Sequence, residues 1–126
     1  MSELDAARRA TLTRFGEAWI RRDVESLLAL MTPDAVYAAS VGPEPGHTFR
    51  GAAELRAGFE DMFALDIGAE IALAEPLLFG DQGISGWTYT FAHSQSEPRQ
   101  VKGIDVWRFE GDRISLTDAN RKTTGD

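Results

Sequence analysis

The stretch that decides the fold reads Gly103-Ile104-Asp105-Val106-Trp107-Arg108-Phe109-Glu110-Gly111-Asp112-Arg113-Ile114. Val101, Gly103, Asp105, Trp107 and Phe109 occupy alternate positions, the period of a strand with two unlike faces. Glu110-Gly111-Asp112 is a tight hairpin turn. Ile114, Leu116, Asp118 and Asn120 alternate on the return strand. The stretch is therefore an antiparallel hairpin with an aromatic face that also carries a carboxylate.

Upstream of this hairpin the same period recurs. Ile67, Ala69, Ile71 and Leu73 alternate, and Gly80-Asp81-Gln82-Gly83 makes a turn. Trp87, Tyr89, Phe91 and His93 alternate next, with Thr88, Thr90 and Ala92 opposite, and Ser94 to Pro98 turn the chain. Further back the period changes to that of helices. Ser2 followed by Asp5 resembles a capping box with Asp in place of Glu. Leu12, Phe15 and Trp19 then form one apolar stripe. Asp23 is an N-cap candidate for a short helix carrying Val24, Leu27, Leu28 and Met31. Thr32-Pro33 ends that helix, because the residue before proline is pushed out of the α region. Ala35 to Ser40 reads as a strand. Val41 to Thr48, with Gly42, Pro43, Pro45 and Gly46, reads as a loop. After Arg50-Gly51 a third helix buries Leu55, Phe59, Met62 and Phe63. Three helices, one early strand and a four-stranded antiparallel meander make an α+β fold, not a parallel doubly wound sheet.

Composition bounds what this fold can do. The 126 residues form one domain, 1–126, with 43% hydrophobic and 26% charged residues, which excludes wholesale disorder. No cysteine is present, so disulfides and thiolate chemistry are excluded. With two histidines, and no His, Asp and Glu set at ligand spacing, no metal is expected. The net charge of −7 argues against nucleic acid as a partner, since phosphate neutralisation needs clustered Lys and Arg. The acids of residues 54–81 (Glu54, Glu60, Asp61, Asp66, Glu70, Glu75 and Asp81) read as a solvated acidic face. No apolar run reaches the ~20 residues of a spanning helix, and the first residues lack the basic and apolar regions of a signal peptide. The expectation is a soluble cytoplasmic protein with no membrane partner.

Asp105 is the most informative residue. Its parity sets it beside Trp107 and Phe109, where desolvation favours the neutral carboxyl. Held neutral, it can donate a hydrogen bond to a carbonyl becoming an oxyanion. The alternative is an ion pair with a base such as Arg121 that pins the sheet. Asp118 continues the parity of Ile114 and Leu116, which would turn it toward the same interior. As a second carboxylate it could divide acid and base roles with Asp105; otherwise it pairs at the surface with Arg121 or Lys122. His93 ends the Trp87-Tyr89-Phe91 face and suits proton transfer, unless it faces solvent at the strand end. His47 reads as a loop residue. Tyr37 either donates its hydroxyl to a ligand or packs in the core. Trp19, Trp87, Tyr89, Phe91 and Trp107 stand at core spacing, and any cavity they line would suit a flat apolar ligand.

The order of several segments carries a resemblance. They are Phe15-Gly16-Glu17-Ala18-Trp19, Arg22-Asp23-Val24-Glu25-Ser26-Leu27, Met31-Thr32-Pro33-Asp34-Ala35-Val36-Tyr37, Phe49-Arg50-Gly51 and the Gly103–Ile114 stretch. Together they resemble the SnoaL-like and ketosteroid-isomerase-like group of the nuclear transport factor 2-like superfamily. The resemblance implies a cone-shaped α+β barrel, with three N-terminal helices packed in a curved, mostly antiparallel sheet around an apolar pocket. It also implies an apolar small-molecule ligand such as a polyketide, steroid- or terpenoid-like carbonyl compound. The chemistry would be isomerisation, cyclisation or dehydration with no cofactor, and a homodimer would form through the outer face of the sheet.

Asp105 falls where the ketosteroid isomerases carry an oxyanion-hole aspartate. Two other positions depart from that pattern. The isomerases' helix-one tyrosine falls at Phe15, and their base aspartate falls at Ala39. The proton would then have to be moved by His93 or Asp118. The limonene-epoxide-hydrolase pattern of an Arg and an Asp on a middle strand is absent from Ile84 to Ala92. A non-catalytic ligand-binding or dimerisation module of the same fold is the competing expectation.

Overall fold

Residues 2–65, 68–91 and 99–123 are described by the structure, a computed structural model. Helix α1 spans Glu3–Arg21. The Ser2 hydroxyl accepts the Asp5 backbone N–H at 3.0 Å, satisfying one of the free donors of the first turn. The helix ends at Arg22, whose left-handed conformation returns its N–H to the last carbonyls of the helix. Asp23 caps α2 (Val24–Ala29), accepting from the Ser26 N–H at 3.2 Å and the Ser26 hydroxyl at 2.6 Å. Helix α3 (Gly51–Leu65) buries Leu55, Phe59 and Phe63.

Strand β1 spans Met31–Ala38, so it begins before the expected Ala35 and contains Thr32-Pro33. Proline is tolerated there because the pairing slips between Met31 and Val36, where no ladder donor is needed. Two short strands were not expected: β2 (Thr48–Arg50) and, after β3 (Glu70–Leu73), β4 (Leu77–Phe79). Three residues are too few to show a period. The long strands follow expectation: β5 (Gln82–Phe91), β6 (Arg99–Glu110) and β7 (Arg113–Arg121). The sheet runs β2-β1-β7-β6-β5-β3, with β4 also on β5. All pairs are antiparallel except β1 with β7, which is parallel.

One irregularity changes which side chains face inward. Phe109 pairs with Ile114, but Arg108 pairs with Leu116. Ser115 is thus an extra residue, a bulge that flips the parity of the rest of β7. Beyond it Thr117 stands opposite Trp107 and Ala119 opposite Asp105, while Asp118 stands opposite Val106.

Helices α1 and α3 lie against the concave face. Phe15, Phe59, Tyr37 and Trp107 are buried at their junction. The Phe15 and Trp107 rings meet edge-on at 5.1 Å, and Trp19 meets Phe63 at 5.0 Å. The other end of α1 is tied to turns. Buried Arg8 donates to the Gly111 carbonyl at 2.7 Å and the Gly80 carbonyl at 2.8 Å, and Thr11 donates to the Asp112 carbonyl at 2.7 Å.

Candidate functional site

Between α1, α3 and the sheet lies a cavity of about 660 Å³, within the range of ligand sites. Trp19, Tyr37, Trp87, Tyr89, Phe91 and Trp107 all line it, as does Asp105. Their placement follows from parity. Trp87, Tyr89 and Phe91 point one way from β5, and Val101, Asp105 and Trp107 point the same way from β6.

Each of the three tryptophans directs its indole N–H at a partner in the cavity wall. Trp19 donates to the Tyr89 hydroxyl at 2.5 Å, Trp107 to the Ser85 hydroxyl at 2.8 Å, and Trp87 to a carboxylate oxygen of Asp105 at 3.1 Å. A buried indole donor needs such a partner, and here the partners fix the ring planes of the wall.

Asp105 sits deep among these rings. Burial pushes its carboxyl up to about 7; the Trp87 hydrogen bond opposes that rise and the Asp118 charge adds to it. Among the described residues it makes no ion pair, so the alternative of a structural pair with Arg121 is not formed. The site therefore holds a carboxyl that is largely protonated below neutrality. It can then donate a hydrogen bond within an aromatic enclosure.

Gly103 makes this arrangement possible. It stands directly opposite Trp87 in the ladder. A Cβ at this position would collide with the Trp87 indole and the Asn120 carbonyl oxygen. With no side chain there, the indole lies across the β6 backbone and reaches Asp105. A glycine inside a strand is the signal that marks such close approach, although sequence reading assigned it no site role.

The other expected residues fall out differently. Asp118 does not line the cavity; the Ser115 bulge turns it to the opposite face from Asp105 and Ala119. The alternation of Ile114, Leu116 and Asp118 breaks at Ser115, so Ile114 and Leu116 do not share one face. His93 lies outside the described residues. His47 stacks on Phe49 at 4.2 Å and does not line the cavity. Ala39 is buried, and its N–H is held by the His47 carbonyl at 2.9 Å. The structure adds Glu17, Ser85, Arg99 and Arg121 to the lining. Among the described residues, no group of His, Asp and Glu is placed to hold a metal ion.

The family model of the SnoaL-like domain matches residues 12–117. The chain belongs to the SnoaL-like family. No match is found among curated proteins. Solved structures similar to this SnoaL-like chain include an NTF2-like protein of Mesorhizobium loti, 21% identical with a TM-score of 0.80, over 98% of this chain and 97% of that one. A Catenulispora acidiphila protein of ketosteroid isomerase-like fold, crystallised with trimethylamine, is 17% identical with a TM-score of 0.71, over 86% and 82% of the two chains. TerC, co-crystallised with polyporic acid, is 17% identical with a TM-score of 0.76, over 92% of each chain. The helices packed in a curved, unclosed sheet are the cone-shaped α+β fold of these proteins. Among the described residues, no helix of this SnoaL-like protein is long and apolar enough to cross a membrane.

Proposed function

We propose that this SnoaL-like protein binds a flat, apolar carbonyl compound of polyketide, steroid- or terpenoid-like character. It would act on that compound as a cofactor-independent isomerase, cyclase or dehydratase. The observation that carries the reading is the Asp105 carboxyl, buried among aromatic rings, with Trp87 as its partner and, among the described residues, no ion pair. In its protonated form Asp105 donates to the ligand's carbonyl oxygen. As a proton leaves the adjacent carbon, negative charge builds on that oxygen and the hydrogen bond strengthens. That is the interaction which lowers a barrier rather than merely improving binding. Trp19, Trp87 and Trp107 hold the flat body, and their own donors are already engaged.

The proton acceptor is the open half of the reaction. Asp118 faces away, and Glu17 is the carboxylate that α1 brings to the cavity instead. Ala39 at the isomerases' base position favours a second reading, a binding module that uses the same cavity without chemistry. Incubation of flat enones and ketones in D₂O separates the two. Exchange at the carbon beside the carbonyl, lost in Asp105→Asn, is the expected result; tight binding with no exchange selects the binding module.

The homodimer implied by the resemblance would form through the outer face of the sheet. Ile104 is 45% exposed there, beside Lys102 and Val106. Light scattering should give a dimer mass, with Ile104→Glu shifted toward monomer; a monomer mass for the parent chain would remove this assignment.

A further inference from the structure

The cavity carries a second polar point that the reading above does not use. Arg121, at the end of β7, is half-buried and lines the cavity. Among the described residues it has neither a carboxylate nor a hydrogen-bond partner. A half-buried guanidinium gives up hydration and ordinarily recovers it by pairing with an anion. Arg121 pairs across the ladder with Gly103, two residues or ~7 Å along β6 from Asp105. Gly103 carries no side chain of its own there, and the Trp87 indole takes the space above it. Arg99, at the start of β6, also lines the cavity, its guanidinium 5.8 Å from the Phe91 ring centre. Apart from Asp105, the acids of the lining lie toward β3. Glu75 follows β3 and pairs with Arg9 at 3.5 Å, and Glu17 is beside Gly16, which abuts Leu73 of β3. Strands β6 and β5 separate β7 from β3.

Resting on the proposed function, we infer that the ligand is an apolar acid: Arg121 binds its carboxylate while Asp105 binds a carbonyl or hydroxyl oxygen elsewhere on the same body. The bidentate geometry of guanidinium and carboxylate suits this role, and the aromatic rings between the two polar points hold a flat skeleton. Arg99 adds a second positive charge to the lining.

Isothermal titration with three probes tests the inference: 6-hydroxy-2-naphthoate, its uncharged carboxamide, and 2-naphthol, all at pH 6. The carboxylate is expected to bind at least tenfold more tightly than the carboxamide. Arg121→Gln should bring that ratio near one, and Arg121→Lys should restore part of it. Circular dichroism melts confirm that each variant is folded. Equal binding of carboxylate and carboxamide by the parent chain, with 2-naphthol still weakened by Asp105→Asn, overturns the inference and leaves the proposed function standing. Loss of any Asp105 dependence overturns the proposed function itself. A ratio that survives Arg121→Gln but collapses in Arg99→Gln overturns the assignment to Arg121.

Discussion

A carboxyl that folding carries from water into an aromatic wall leaves a mark on stability. Asp105 titrates near its usual 3.8 in the unfolded chain and at about 7 in the folded one. Below pH 4 both states hold the proton, and nothing is lost. Between pH 4 and 7 the unfolded chain releases it first, so stability falls as pH rises, by ~1.4 kcal/mol per unit. Above pH 7 the whole cost, about 4 kcal/mol at most, is present. Asp105→Asn escapes it. That variant should melt higher than the parent at pH 8, by about 2 kcal/mol or more in stability, and gain nothing at pH 4. Calorimetric melts at the two pH values check this; a gain of equal size at both would show that protonation is not the cause. Gly103 belongs to the same scale. Gly103→Ala should cost about 2–4 kcal/mol by overpacking and move the Trp87 indole signal in NMR spectra, because the methyl occupies the indole's place. Asp105 was legible as a site residue because its parity with Trp107 and Phe109 needs only the alternation of one strand. Arg121 stood in the sequence only as an alternative ion-pair partner for Asp105; the ladder sets it opposite Gly103.

At the scale of elements, β7 shows where sequence reading stops. Its alternation of Ile114, Leu116 and Asp118 looks continuous, and a bulge has no signature beyond the pairing it interrupts. One extra residue, Ser115, exchanges Thr117 and Ala119 for Leu116 and Asp118 on the concave face. The helices were legible because caps and apolar stripes are local: Ser2 and Asp23 sit where their hydroxyl and carboxylate oxygens meet free N–H groups. Strands β2 and β4 were not, since each is three residues long and exists through its neighbour. Arg8 was also silent in the sequence, being one basic residue on a helix of mixed charge. Its guanidinium holds the carbonyls of Gly80 and Gly111, and so ties α1 to the turn before β5 and the turn between β6 and β7. Arg8→Ala leaves those carbonyls unmet and should cost about 2–3 kcal/mol. A urea midpoint lowered by that amount, with less loss in Arg8→Lys, is the expected outcome; an unchanged midpoint would show that water replaces the guanidinium without penalty.

Across the whole molecule, helices and strands each present one apolar face, and the two faces do not close completely. The space left between them is the cavity, and its wall takes polar atoms from strands far apart in sequence: Ser85, Asp105 and Arg121 come from β5, β6 and β7. The cone could be read from the order of elements, but the second polar point could not, because it depends on which residues of β7 turn inward. A ligand that fills the cavity stabilises the folded state by mass action, by about 2.7 kcal/mol at a hundredfold excess over its dissociation constant. A raised melting temperature therefore screens flat apolar acids and ketones without any assumed reaction. The central claim rests on one proton. Carbon-13 NMR of the aspartate carboxyls, with Asp105 assigned by comparison with Asp105→Asn, reads it directly across pH 3 to 9. A midpoint near 7 for Asp105 supports a neutral donor aimed into the cavity. A midpoint near 4 would mean that the carboxylate is ionised in the folded chain, and would contradict the oxyanion site.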